Sequence, residues 1–216
     1  MSLSSSRTVN CPNCNHAQEF TVWDSVNGTR DPDLKEKLMR GALFEFTCTH
    51  CRNTATVMSP LIYHDMRNHV LICLERDGSQ EWHETIQKLE PVVSWSSEYR
   101  WRLVRSLNSL NEKILIFEHG LSDHVIEALK AMLHTRLQPQ FKNQSAEIFF
   151  SGTNHSARTL QFVLLDDLPK PVEIGRGAYD RSVEILGDAL KKADIKRKLL
   201  EVDSKWLAPR EAGSTG

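Results

Sequence analysis

The chain has 216 residues, of which 40% are hydrophobic and 25% charged, a balance ordinary for a globular protein able to bury a real core. The length suits one large domain or two small ones. A formal net charge of −1 gives no global pull toward DNA or anionic lipid, although a local basic patch is compatible with it.

In chain order, Met1 to Arg7 contains no apolar stretch of signal-peptide length, and residues 1–8 read as disordered. A first cysteine pair, Cys11-Pro-Asn-Cys14, follows. Phe20 and Val22 then share one face of a strand within residues 18–23. Asp31 to Gly41 reads as a helix, with Asp31 as cap, Pro32 in the first turn, Leu34 and Leu38 on one face, and Gly41 as the stop. Leu43 to Thr47 alternates as a strand and runs into Cys48-Thr-His-Cys51. Thr54 to Met58 is the returning strand, ended by Pro60. Leu61 to Met66 reads as short and irregular, and His69 to Glu75 as a buried strand. Asp77-Gly78 marks a turn, and residues 80–89 suit a helix stopped by Pro91.

From Ser96 onward the pattern changes. Tyr99 to Leu103 alternates apolar with basic, as in a half-exposed strand. Ser109-x-x-Glu112 has capping-box spacing, and Leu110, Ile114 and Phe117 share the face of the helix it opens; Gly120 ends that helix. Ser122 suits the cap of the next, where Val125, Ile126, Leu129, Leu133 and Leu137 follow helical spacing to Pro139. Ala146 to Phe150 and Thr159 to Leu165 read as a hairpin, with Ser151-Gly-Thr-Asn154 supplying its turn. A helix from Asp180 to Lys192 carries Val183, Leu186 and Leu190. A last helix carries Ile195, Leu199, Val202 and Trp206, and residues 208–216 read as a disordered tail.

The longest apolar runs, such as Val70 to Leu74, are far short of the roughly 20 residues a membrane span needs, so a cytoplasmic protein is expected. In a reducing compartment paired cysteines favour metal or redox chemistry over disulfides. Four of the five cysteines form two C-x-x-C pairs, and the fifth, Cys73, reads as a small buried hydrophobe. A tetrahedral zinc takes four thiolates at about 2.3 Å, and two intervening residues let both thiolates of a tight turn face one ion. Cys11, Cys14, Cys48 and Cys51 are therefore read as the ligands of one structural zinc. Iron is the chemical alternative, since four thiolates also hold it. Strand patterns around both pairs suggest two knuckles facing each other, a zinc ribbon whose spacer holds the helix after Asp31. A knuckle favours positive φ after its second cysteine; Asn15 suits that position and Arg52 does not, so the second turn is expected to be the looser. His50, inside the second pair, reads as an exposed knuckle residue.

These motifs resemble the CpXC domain, a bacterial and archaeal family named for its paired cysteines. The resemblance extends to Val22-Trp-Asp-Ser-Val-Asn27, Asp31 to Leu38, Leu43 to Cys48 and Pro60 to Met66, and so covers residues 9–75. Residues 102–127 are similar to the stretch after the domain in longer members, with Ser122-Asp123 where the family often shows paired aspartates. The first pair keeps the family's proline at Pro12, while Thr49 replaces it in the second, and Asn15 and Arg52 stand in place of glycine. The resemblance implies a fold and a metal, but no activity.

Other constellations compete with plainer readings. His64-Asp65 has the chemistry of a general base, but neighbours in a chain usually point apart. Glu118-His119 and Asp123-His124-x-x-Glu127 gather polar groups around Gly120, and acids in a first helical turn also suit the helix dipole. Two basic stretches, Lys191 to Lys198 and Arg100, Arg102, Arg105 with Tyr99 and Trp101, could hold phosphates and stack bases, or be solvated faces.

The expected fold is α+β. Residues 9–75 form a zinc-ribbon-like domain with an inserted helix, 76–95 a connector, and 96–207 an α/β region of helices on a small mixed or antiparallel sheet. The two regions could share a core if Val70 to Leu74 pairs with strands of the second. The expected role is a non-enzymatic binding module with a protein partner, or with nucleic acid. The alternative is an enzyme with its site between the regions, using His64 and Asp65 or the Asp123 to Glu127 cluster.

Overall fold

The structure is a computed structural model and describes residues 2–76, 99–143, 145–193 and 199–203. The serine-rich N-terminal segment, expected to be disordered over 1–8, is instead the first strand. β1 (Leu3–Asn10) pairs antiparallel with β2 (Ala17–Asn27), with Arg7 opposite Phe20. Its side chains bury little. The backbone ladder holds it, helped by Thr8 and Ser6 hydroxyls that donate to Glu19 on β2.

Six strands form the main sheet, in the order β1-β2-β5-β6-β7-β11. β5 (Leu61–Asp65) pairs parallel with the end of β2 and antiparallel with β6 (Val70–Leu74). The expected irregular segment at 61–66 is thus a strand, because it is ladder-bonded on both sides. In the turn that follows, Asp65 accepts the N–H groups of Arg67 (2.9 Å) and Asn68 (3.0 Å), the local bonding that Asp favours in turns. β6 pairs parallel with β7 (Arg100–Val104), and β11 (Leu199–Leu200) lies beyond β7. Leu199 was expected in a helix; in the sheet it packs against the buried Cys73, as Ile62 and Leu103 do. Val26, Leu61, Tyr63, Val70, Ile72 and Leu74 are buried in this sheet.

α1 (Pro32–Met39) follows β2 and buries Leu38. Gly41 ends it at φ 77°, as the sequence suggested. Asp31 precedes the helix but does not cap it through its side chain; the carboxylate instead accepts the N–H and hydroxyl of Ser2 at 3.1 and 2.6 Å. A short 3-10 turn (Ala42–Phe44) leads into the small hairpin of β3 (Glu45–Thr47) and β4 (Thr54–Thr56).

The described residues fall into two compact units. One holds the chain up to Leu110 together with Leu199; the other begins at Asn111. The expected boundary was the 76–95 connector. It lies further along because β7, assigned by sequence to the second region, joins β6 in the first unit's sheet. The turn at Asp77-Gly78, the helix at 80–89 and the tail 208–216 lie outside the described residues.

α2 (Leu107–Glu118) starts earlier than its capping-box spacing implied. Ser106 accepts the N–H of Ser109 at 3.1 Å and is the N-cap, which frees Glu112 for the interior. Gly120 ends α2 at φ 64°, with Gly120 N–H on Phe117 O and Leu121 N–H on Ile116 O, a Schellman pattern. In the second unit, α3 (Asp123–Leu137) buries Val125, Ile126, Leu129 and Leu133. A three-stranded antiparallel sheet of β8 (Glu147–Asn154), β9 (Thr159–Leu165) and β10 (Lys170–Gly175) has the order β10-β9-β8. Ile148, Phe150, Leu160, Phe162 and Leu164 form its inner face. The expected turn at Ser151 to Asn154 is a β-bulge inside β8; the turn itself lies at 155–158. α4 (Arg176–Ala193) begins four residues earlier than its apolar spacing suggested and seats Tyr179, whose hydroxyl accepts the N–H of Ser122 at 2.8 Å. Among the described residues, no helix is long and apolar enough to cross a membrane.

Candidate metal centre

Two hairpin tips carry the paired cysteines. Cys11 and Cys14 lie between β1 and β2, and Cys48 and Cys51 between β3 and β4. The two tips repeat one hydrogen-bond pattern. Cys11 N–H donates to His16 O (2.9 Å) and Asn15 N–H to Cys11 O (2.9 Å); Cys48 N–H donates to Asn53 O (2.9 Å) and Arg52 N–H to Cys48 O (3.0 Å). Asn15 and Arg52 both adopt left-handed backbone, at φ 58° and 63°. The second turn is therefore as tight as the first, against the looser turn expected from Arg52. The knuckle's hydrogen bonds impose the conformation whatever residue sits there.

The four sulfur atoms all lie within 4.8 Å of one another. Cys11 Sγ is 3.7 Å from Cys51 Sγ, and Cys14 Sγ is 3.7 Å from Cys48 Sγ. These separations are far beyond a disulfide bond of about 2.05 Å. They match the edge of a tetrahedron whose centre-to-sulfur bonds are about 2.3 Å, an edge of about 3.8 Å. The residues present therefore fit one thiophilic metal ion, and the four could hold it.

A small apolar cluster supports the tips. Phe46, fully buried, packs with Cys11 and Cys48, and Val9, Phe20, Ala55 and Val57 close around them. Phe20 meets Phe46 edge-on, with ring centres 5.8 Å apart. Gln18, on β2, bridges the two hairpins: its amide donates to Thr47 O (3.1 Å) and its oxygen accepts Thr49 N–H (2.8 Å) and the Thr49 hydroxyl (3.1 Å). Sequence spacing gave no sign of this clamp. Above the tips, His16 and His50 face each other with ring centres 5.4 Å apart, and both are exposed.

The thiols are electrostatically unequal. The Asn13 side-chain amide, 3.5 Å from Cys51 Sγ, and the Asn53 backbone pull Cys51 down to about 6. The backbone at His16 favours the Cys14 thiolate, but burial and the three neighbouring cysteines outweigh it and push Cys14 up to about 12. One thiol of the group thus ionises readily, while a second resists until a cation shares its charge. Cys73 lies apart from the cluster, fully buried, with its thiol pushed up to about 12 by burial.

The family model for the CpXC protein matches residues 9–130. The chain belongs to the CpXC family. The match takes in both cysteine pairs and extends past 75, through β7 and α2 into α3. The comparison with curated proteins gives no match, and neither does that with solved structures.

The remaining sequence candidates are dispersed. His64 and Asp65 point to opposite faces of β5, so they form no dyad. His64 Nε2 instead lies 2.9 Å from the Tyr99 hydroxyl, and burial lowers its pKa while Asp65 opposes the shift. Burial works against the Asp65 carboxylate, but donors from Asn68, Arg67 and Thr29 hold it below the usual range.

Asp123, His124 and Glu127 are buried rather than lining a solvated helix start. Lys113 from α2 reaches Asp123 (3.4 Å) and Glu127 (3.1 Å), and Lys130 reaches Glu127 (3.2 Å) and Glu112 (2.8 Å). Glu112 also accepts the Phe150 N–H at 2.7 Å, joining the helices to β8. Burial raises the pKa of Glu112 against the pull of Lys130. Burial disfavours the charge on Lys130, yet Glu112 and Glu127 hold it above its usual value. Glu118 is the last residue of α2 and His119 follows it, both exposed.

The basic stripe is not a surface stripe. Trp101 and Arg102 are buried, and Arg105 pairs with Glu75 at 2.9 Å. Residues 194–198 of the second basic run, and the side chains of its Lys191 and Lys192, lie outside the described residues.

Proposed function

We propose that this CpXC protein is a zinc-binding interaction module, with Cys11, Cys14, Cys48 and Cys51 as the ligands of one structural ion. The observation that carries this reading is the pair of 3.7 Å sulfur separations within a four-thiol group, the edge length of a zinc tetrathiolate. Four protein ligands fill a tetrahedron, so the ion offers no open position for substrate or water, and its work is to pin two hairpins in a ribbon-like arrangement. Four thiolates also suit iron; a colourless protein supports zinc, and a red or brown one iron.

A protein partner is the preferred class. The net charge is close to neutral, and Trp101 and Arg102, two members of the apparent basic and aromatic stripe, are buried. The hairpin tips offer Asn13, His16, Thr49, His50 and Arg52 as exposed or half-exposed groups on one rigid, metal-clamped end. No described residues support an active site built on His64 with Asp65, because those two face apart.

Complete zinc removal tests the structural part. The expected result is loss of ordered β-signal in the far-UV spectrum and a lower melting temperature; an unchanged melting curve would contradict it. For the role, wild-type chain and a Cys48→Ser variant are compared in capture from native lysate. A protein retained by the first and lost by the second is expected. Capture of nucleic acid whose affinity falls steeply with salt would replace the protein reading with the nucleic-acid one.

A further inference from the structure

One side chain reaches from the first cysteine turn to the second. Asn13, the third residue of Cys11-Pro-Asn-Cys14, directs two N–H groups at sulfur. Its backbone N–H donates to Cys11 Sγ at 3.4 Å, within its own turn. Its side-chain amide donates to Cys51 Sγ at 3.5 Å, in the other hairpin. The two acceptor sulfurs are 3.7 Å apart, so Asn13 spans one edge of the four-thiol group.

The opposite edge has no such bridge. Cys14 Sγ and Cys48 Sγ also lie 3.7 Å apart, but among the described residues no side-chain N–H is directed at either. The residue equivalent to Asn13 in the second turn is His50, and its ring faces His16 instead, with centres 5.4 Å apart. Both turns repeat one backbone pattern, so the turn itself does not impose the cross-hairpin bond. The bond belongs to asparagine at that position.

Four thiolates around a divalent ion carry more negative charge than the ion cancels. N–H donors aimed at the sulfurs spread that charge, and such bonds are roughly twice as strong as those between neutral groups. Donors placed behind metal ligands orient them and tune the hold on the ion. Here the amide acts across the gap between two hairpins, where the halves of the group would separate as an ion leaves.

We propose that Asn13 is a positioning residue of the metal centre, holding Cys51 against Cys11 so that both hairpins keep their grip on one ion. This rests on the reading of the four cysteines as ligands of a single ion. Asn13 is exposed and takes no part in the apolar packing around the cysteines, so replacing it removes the donor without opening that cluster.

The test uses the full chain loaded with zinc, and the same chain loaded with divalent cobalt as a coloured substitute. Zinc affinity is read by competition with a chromophoric chelator. Asn13→Ala should bind zinc about tenfold more weakly. Asn13→Asp, which keeps the shape but replaces the donor with a charged acceptor, should bind more weakly still. A thiolate that loses a hydrogen bond gives up electron density more easily. The sulfur-to-cobalt charge-transfer band should therefore move to longer wavelength in both variants. His50→Ala should change neither reading. Affinity and band unchanged in Asn13→Ala, or changed equally in His50→Ala, would overturn the proposal. So would a weaker affinity with an unmoved band, the mark of a merely structural loss. The wild-type chain loaded with a magnetic isotope of cadmium gives a reading free of variants. The Asn13 side-chain amide protons should couple to the metal through Cys51 Sγ, and coupling to the Asn13 backbone N–H alone would overturn the proposal. Failure of the wild-type chain to bind one cobalt ion through four sulfurs would overturn the reading of the cysteines, and the proposal with it.

Discussion

Arg52 occupies the same left-handed backbone as Asn15, where an ordinary L side chain costs about 1–2 kcal/mol. What holds it there is the knuckle bond from Arg52 N–H to Cys48 O, with Cys48 N–H returned to Asn53 O. The position therefore stores strain that the cysteine pair imposes and the arginine does not relieve. Arg52→Gly should raise the stability of the metal-loaded protein by about 0.5–1 kcal/mol, read as a higher urea midpoint. A loss of stability would show that the Arg52 side chain makes contacts worth more than the strain. At this scale the four-cysteine group was legible because C-x2-C spacing is itself a geometric statement. Gln18 was not, since a glutamine in a half-exposed strand has no spacing that announces a clamp across two hairpins. Asn13 was equally silent, although both its backbone N–H and its side-chain amide are directed at cysteine sulfurs.

Among the elements, helices with a strong apolar face could be read from the chain, and their polar ends could not. Leu110, Ile114 and Phe117 are buried as their spacing implied. The start of α2 was displaced because two serines three residues apart, Ser106 and Ser109, both suit a cap, and only the structure shows the first accepting the N–H. Asp123 and Glu127 looked like acids greeting a helix dipole. Their burial depends on Lys113, fourteen residues before Glu127 on another helix, which no local pattern connects to them. Strand β10 was missed, and Ser151-Gly-Thr-Asn154 has turn composition whether it makes a turn or a bulge. Lys113 now carries a definite expectation. Its replacement by Met leaves buried carboxylates at Asp123 and Glu127 short of a cation, and should cost about 3–5 kcal/mol of unfolding free energy. A cost below about 1 kcal/mol would mean that these carboxylates are neutral or compensated without it.

For the whole molecule, α+β class and the cysteine-bearing hairpins were legible, and the division into units was not. A parallel pairing such as β6 with β7 joins segments separated by a long connection; that Val70 to Leu74 could pair with a strand of the later region was open in the sequence and is found in the sheet, while the unit boundary beyond β7 has no local pattern to mark it. The four-cysteine group, which could hold a metal ion, couples this architecture to pH. Near neutrality Cys14, at about 12, keeps its proton, while Cys51, at about 6, has mostly lost it. Metal entry must expel the Cys14 proton, so apparent affinity should rise with pH between those two values and fall on acidification. Calorimetry at pH 7 in two buffers of different ionisation enthalpy should report at least one proton released per zinc; none released would mean that the four thiols are not the ligands.

The most direct measurement is X-ray absorption at the metal edge of the purified protein. A zinc edge with four sulfur scatterers at about 2.3 Å is the expected result. An iron edge, or a shell containing nitrogen or oxygen in place of one or more sulfurs, would contradict a closed zinc tetrathiolate at Cys11, Cys14, Cys48 and Cys51.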